Sequence, residues 1–259
     1  RGLPLGADPL HFIAVPTTAG TGAEVTKNAV IGVPSARRKV SLRDNRMLPD
    51  VAIIDPALTD GTPKPVTLAS GLDAVTQVIE PYVCTKANRL TDALCRDAIP
   101  LGLAALVRLM ETEDTAARDD LAWVSLCGGL ALANAGLGAV HGLAGPIGGA
   151  ASAPHGAVCG ALLPPVLAAN AKLATDMAAA RITEVQNWIS HAFGVEPEQA
   201  TTALQNWSQH HGLPRLSQMG LQEDELQSIA QASLESSSMR GNPVALTERA
   251  LIDILYAAY

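Results

Sequence analysis

The stretch that decides the fold runs from Ala139 to Cys159, AVHGLAGPIGGAASAPHGAVC. It holds no Asp, Glu, Lys or Arg, yet it carries His141 and His155 fourteen positions apart, with Pro146 and Pro154 between them. On one continuous helix that spacing separates the two imidazoles by about 21 Å. The prolines predict a different path. Pro146 with the Gly148–Gly149 pair lets a first helix end, and Pro154 sits at a favoured first-turn position for a second. The chain can then fold His155 back beside His141. Two histidines brought together this way suit a metal site, and they also suit two hydrogen-bonded core histidines.

A third group lies upstream. In ASGLDAVTQVIE, Asp73 is the one acid between Asp60 and Glu80, on a stretch whose other inward positions are apolar. A carboxylate that faces a core needs a partner. Gln77 follows four residues on, on the same helical face. Asp, His and His together are suitable ligands for a divalent metal with an open position. Asp73 taken alone equally fits a helix N-terminal charge favoured by the dipole.

Further outward, 51 residues from Leu121 to Ala171 carry no Asp, Glu, Lys or Arg. That raises a membrane span. The run is dominated by Gly and Ala and is broken by Pro146, Pro154, Pro164 and Pro165, so a central helix wrapped by other helices is expected instead. Leu72, Val75 and Ile79 form one stripe of an upstream helix beginning near Thr67. Helices follow over 91–110, with Pro100 as a kink or break, and over 118–136. Others are expected over 175–191, 198–210, 223–233 and 247–259. The first third reads as strand and turn, with strands in HFIAVPTT, VTKNAVIGV and VAIID. The expected fold class is mainly α: an all-helical domain over 60–259, preceded by a short β-rich piece over 1–59.

Composition narrows the functions. Of 259 residues, 48% are hydrophobic and 17% charged, which permits a sizeable core. Aromatics at 3% and a formal charge of -7 exclude a base-stacking platform, a phosphate-backbone binder and a basic membrane patch. Neither nucleic acid nor membrane is an expected partner. Cys84, Cys95, Cys127 and Cys159 form no CxxC pair and read as reduced core cysteines. The opening RGLPLGADPL lacks the basic and apolar regions of a secretory leader, so a cytoplasmic location is expected.

A second feature is AVPTTAGTGAEVT, residues 14–26. Gly20 and Gly22 let backbone approach a ligand, and Thr17, Thr18 and Thr21 offer hydroxyls to phosphate or carbonyl oxygens. Neither GxxxxGK[ST] nor GxGxxG is present. A threonine-rich turn without a ligand fits the same residues.

Taken together, these segments resemble the iron-containing (group III) alcohol dehydrogenase family, within the dehydroquinate synthase-like fold. PTTAGTGAEVT is similar to the family's threonine–glycine cofactor loop. LPDVAIIDPAL followed by GLDAVTQVIE is similar to its hinge and first metal helix. NAGLGAVHGLAGPIGGAASAPHG resembles the segment with two histidine ligands, and GNPVALTERALIDILYAAY the C-terminal helix. The resemblance implies that Asp73, His141 and His155 are metal ligands and catalytic, with iron or zinc as the divalent metal. It places Gly20 in the cofactor loop and implies that Thr17, Thr18, Thr21, Thr26 and Lys39 face the nicotinamide half of NAD(P), with Leu58 near it. The implied activity is metal-assisted hydride transfer between NAD(P) and a small alcohol or aldehyde.

Three departures qualify the implication. Gln77 stands where the family usually has His, and Gly145 replaces a His near the nicotinamide. The third is the family's glycine-rich pyrophosphate turn, which is expected to be missing here with most of the N-terminal α/β nucleotide-binding domain. Residues 1–59 then read as its remnant strands, which puts NAD(P) binding in doubt. Uncovered apolar sheet edge favours a homo-oligomer. The competing expectation is a metal- or cleft-dependent hydrolase acting on an ester, with Ser70 and Ser152 close in sequence to the site; no GxSxG elbow is present. A non-catalytic remnant stable through assembly is the third.

Overall fold

The computed structural model describes residues 5–33, 35, 38–151 and 153–259, with Arg38 by its backbone alone. Two strand pairs come first. Strand β1 (Ile13–Ala14) runs parallel to β4 (Val51–Ala52), with Ile13 opposite Val51. Strand β2 (Asn28–Val33) is antiparallel to β3 (Arg38–Arg43), with Asn28 opposite Arg43 and Val33 opposite Arg38. The sequence signalled three of these strands and missed β3. Its Lys39, Ser41 and Arg43 dilute the apolar run, and only pairing with β2 makes it a strand.

Nine helices follow among the described residues. They are α1 (Lys64–Val83), α2 (Arg89–Glu111), α3 (Thr115–Asn134), α4 (Ala139–Ala150) and α5 (His155–Leu173). Then come α6 (Asp176–Phe193), α7 (Ala200–His210), α8 (Leu226–Leu234) and α9 (Glu248–Ala258). Helix α1 packs against α2, α3, α5 and α6 and is buried along most of its length. A helix buried all round is the core of a helical domain, and any polar group on it must find partners there.

Pro100 does not break its helix, while Pro146 with Gly148–Gly149 comes just before a helix end, as expected. Helix α2 continues through Pro100, and α4 continues through Pro146 to end at Ala150. A proline removes one helical hydrogen bond, and packing of the flanking faces offsets that loss. Pro154 is the N-cap of α5, one position ahead of the first turn, and His155 is the first helical residue. Helix α5 is long and apolar enough to cross a membrane, and α3 and α4 would pass together but for a 97° bend between them. In this fold α5 is enclosed by α1, α4, α7 and α9, with Val158, Leu162, Leu163 and Val166 buried. Each such side chain contributes roughly 1.5–3 kcal/mol to the core.

Candidate metal and cofactor site

Asp73 lies midway along α1, with Gln77 and Glu80 one and two turns further on the same face. All three are buried. Helix α4 starts at a glycine, Gly138, whose side cannot cap it. Its first amides find partners elsewhere: Ala139 N donates to Asn242 Oδ1 (3.2 Å) and Val140 N to Glu80 Oε1 (2.7 Å). His141 comes next. Its Nδ1 lies 2.6 Å from Glu80 Oε2, and its Nε2 lies 3.5 Å from Asp73 Oδ1. A carboxylate on one ring nitrogen fixes the tautomer and leaves the other nitrogen as a free donor atom, the usual support for a metal-binding imidazole.

Helix α5 brings the remaining groups. Gly156 lets its first turn rest on the backbone of α1: a Cβ there would fall 2.3 Å from Ala69 O. His155 Nε2 is thereby 3.8 Å from Asp73 Oδ2, and the two imidazole centroids are 5.3 Å apart. Cys159, one turn further along α5, places Sγ 3.6 Å from His155 Nε2 and 3.9 Å from His141 Nε2. Ligand atoms of Asp73, His141, His155 and Cys159 all lie within 4.8 Å of one another. The side chains of Asp73 and His141 are enclosed, at 2% and 8% exposure, while His155 at 40% faces outward.

The charges are strongly coupled. Burial works against ionising Asp73, but the two imidazoles facing it prevail and hold its carboxyl below the usual range. Burial also works against a charged His141, yet Cys159, Glu80 and Asp73 raise it well above the ordinary value. Burial lowers His155, helped by His141 and Lys39 and opposed by Asp73. Burial, then Asp73, pushes the Cys159 thiol up to about 12. The donor set fits a divalent cation in its chemistry: a carboxylate, two imidazoles and a sulfur. It also fits by what is left over. Asp73 Oδ1 is buried without a hydrogen-bond partner among the described residues, and a bound cation would satisfy it.

The threonine loop docks beside this cluster. Gly20 N and Gly22 N both donate to Ser125 Oγ on α3 (2.9 and 3.2 Å). Gln77 Nε2 donates to the carbonyl of Thr21. Gly22 has φ +56°, and a Cβ on Gly129 of α3 would fall 2.2 Å from Gly22 O, so loop and helix touch backbone to backbone. Thr17, Thr18 and Thr21 are exposed, and Gly20 is buried. Thr26 is buried and its Oγ1 donates to Ala23 O (3.1 Å). Lys39 reaches from β3 across α4, where a Cβ on Gly148 would meet its Nζ at 2.8 Å. Leu58 is exposed, in the short turn Pro56–Thr59. A side chain at Gly145 would meet nothing within 4 Å.

Sequence reasoning did not single out Glu80, Cys159 or Ser125. Two signals were present: Glu80 is seven residues from Asp73, and Cys159 four from His155, both same-face spacings on a helix. Nothing local marked Ser125.

Fold and site together define a helical domain with a buried carboxylate–imidazole–thiol cluster beside a loop open to a ligand. The model of the Fe-containing alcohol dehydrogenase family, C-terminal, matches residues 67–259, and that of the iron-containing alcohol dehydrogenase matches residues 2–56. This chain belongs to the iron-containing alcohol dehydrogenase family. It is 34% identical over 255 residues to alcohol dehydrogenase 4 of Saccharomyces cerevisiae, covering 96% of this chain and 65% of that protein. It is 33% identical to lactaldehyde reductase of Escherichia coli K12, covering 99% and 67%. The fold is similar to a crystal structure of 1,3-propanediol oxidoreductase (TM-score 0.86, 32% identity, 98% of this chain and 68% of that one). The chain thus spans about two thirds of the length of these relatives.

Proposed function

We propose that the chain serves metal-assisted hydride transfer between NAD(P) and a small alcohol or aldehyde, with Asp73, His141 and His155 as ligands of a divalent metal. The observation that carries this reading is Asp73 Oδ1, a buried oxygen with no hydrogen-bond partner among the described residues, within a cluster of nitrogen and sulfur donors. Asp73, His141 and His155 would hold a divalent ion, which when bound would supply Lewis-acid polarisation of an alcohol or carbonyl oxygen. The rest is work for this chain's own residues. Glu80 holds His141 in one tautomer. Gln77 and Ser125 hold the threonine loop against α1 and α3, leaving the hydroxyls of Thr17, Thr18 and Thr21 free to meet a cofactor. His155 occupies the open side, where a substrate enters. The three relatives named above are a dehydrogenase, a reductase and an oxidoreductase, in keeping with this chemistry.

Residues 1–59 belong in this reading to the cofactor side and 60–259 to the metal and substrate side. The expected cytoplasmic location and homo-oligomer are part of the same proposal. Phe12, Ile13, Val30, Ile31 and Val40 are exposed apolar side chains that a second copy would cover, and sedimentation equilibrium reads the state. The hydrolase alternative gains no observation: Ser70 Oγ donates weakly within its own helix to Thr67 O (3.4 Å), and Ser152 lies outside the described residues. The test is a titration of the metal-loaded chain with NADH and NADPH, followed by aldehyde-dependent NAD(P)H oxidation. Cofactor binding with turnover that chelator abolishes supports the proposal. Metal loading with no cofactor binding at millimolar concentration overturns its redox part.

A further inference from the structure

The cysteine in the cluster is unaccounted for by three ligands. Cys159 is buried, and its sulfur points at the two imidazole nitrogens that face Asp73. Gln77, which follows Asp73 by one turn, has its amide nitrogen engaged with the carbonyl of Thr21 in the loop. We propose that Cys159, not Gln77, supplies the fourth metal ligand, making an Asp73–His141–His155–Cys159 site of zinc type, at which a substrate oxygen would add as a fifth neighbour on the exposed His155 side. The inference rests on the metal-site reading above and specifies its donor set.

Distances decide in its favour. Zinc bonds of about 2.0–2.1 Å to nitrogen or oxygen and about 2.3 Å to sulfur give tetrahedral edges of roughly 3.3 Å for N···O and roughly 3.6 Å for N···S. The His141 nitrogen lies 3.5 Å from Asp73 Oδ1 and the His155 nitrogen 3.8 Å from Asp73 Oδ2, and the N···S separations are 3.6 and 3.9 Å. These separations lie within about half an ångström of the tetrahedral values, while the donor set as a whole spans up to 4.8 Å and would have to draw in around a cation. Charge agrees. A thiolate and the Asp73 carboxylate together neutralise a divalent ion in a buried place, where a net charge is costly. Asp73 Oδ1, buried and with no hydrogen-bond partner among the described residues, is the independent sign that something belongs at the centre. Sulfur also changes metal choice: a thiolate favours zinc over manganese or ferrous iron, and binding an ion deprotonates the thiol outright.

The test uses the whole chain loaded with Co(II) or Zn(II). The wild type should show a near-ultraviolet thiolate-to-cobalt charge-transfer band, and zinc-edge X-ray absorption should show one sulfur neighbour at about 2.3 Å. Cys159→Ser should lose the band, keep binding metal through Asp73, His141 and His155, and lower the zinc-to-manganese affinity ratio about tenfold or more. Cys95→Ala and Cys127→Ala, which change other buried cysteines, should keep the band. Stoichiometric cobalt without a thiolate band, or a zinc shell without sulfur, overturns the inference and leaves the three-ligand site standing. A wild type that binds neither metal overturns both. The X-ray arm needs no variant, so misfolding of Cys159→Ser cannot blunt the test.

Discussion

Gly156→Ala tests the contact that brings the site together. A Cβ at this position would lie 2.3 Å from Ala69 O, 2.8 Å from Ala69 C and 3.3 Å from Asp73 Cβ. Carbon–oxygen contacts normally begin near about 3.3 Å, so the start of α5 must back away from α1 by about 1 Å. The obstacle is the backbone of a buried helix, which has no rotamer to change. Overpacking of this kind costs about 1–3 kcal/mol, and the better helix propensity of Ala offsets at most about 1 kcal/mol. The expected net loss is about 1–2 kcal/mol in a urea melt. The same shift carries His155 away from Asp73, and zinc affinity measured against a competing chelator should fall about tenfold or more. Gly145→Ala is the internal control. A Cβ there would meet nothing within 4 Å. It should leave both stability and metal affinity nearly unchanged. A Gly156→Ala protein as stable as wild type, with unchanged zinc affinity, refutes the claim that α1 and α5 meet there backbone to backbone.

Other outcomes follow from the same contacts. Gln77→His should raise metal affinity by adding an imidazole one turn from Asp73, most clearly in a Cys159→Ser background, and no gain there in titration means that position 77 faces away from the metal. Ser125→Ala removes the hydroxyl that two loop amides share, and should speed hydrogen exchange at Gly20 and Gly22 while the helical core keeps its protection. Arg118 is 4% exposed and donates to Thr67 Oγ1, Thr62 O and Glu113, so Arg118→Met should cost about 1–2 kcal/mol in a urea melt from the lost charge-assisted hydrogen bonds, Thr67 Oγ1 still donating to Thr62 O (3.1 Å). Its Glu113 part is smaller because that carboxylate is half-exposed, and it has a definite sign with pH. Arg118 beside it holds the folded Glu113 below the usual carboxylate range, so this stability is present above the unfolded pKa and is lost as pH falls through the folded one. The gap between wild type and Arg118→Met should therefore narrow in acid. A gap that widens contradicts the pairing.

Much of the site was legible because its signals are local. Asp73 stands out as a lone acid on an apolar helix, and the prolines between His141 and His155 announce a chain that doubles back. The helices from α6 to α9 fall within a few residues of their expected bounds, since their caps and periodicity are written in short windows. What stayed hidden depends on distant parts of the chain. Cys159 reads as a core cysteine from its apolar neighbours, and comes to face the two imidazoles only where Gly156 seats α5 on α1. Glu80 carries no mark in the sequence, and its role shows only where α4 brings the Val140 amide and His141 against it. Ser125 is an unremarked serine on a helix more than a hundred positions from the loop it holds. Pro100 reads as a kink or break, yet α2 runs on through it, because the loss of one hydrogen bond is visible in the sequence and the packing that offsets it is not.

The most direct test of the central claim is the metal content of the purified chain after zinc loading and dialysis, compared with Asp73→Asn, His141→Ala and His155→Ala. The account predicts one ion per chain in the wild type and marked loss in each variant, with helical circular dichroism retained in Asp73→Asn. Stoichiometric metal in all three variants, or none in the wild type, would contradict it.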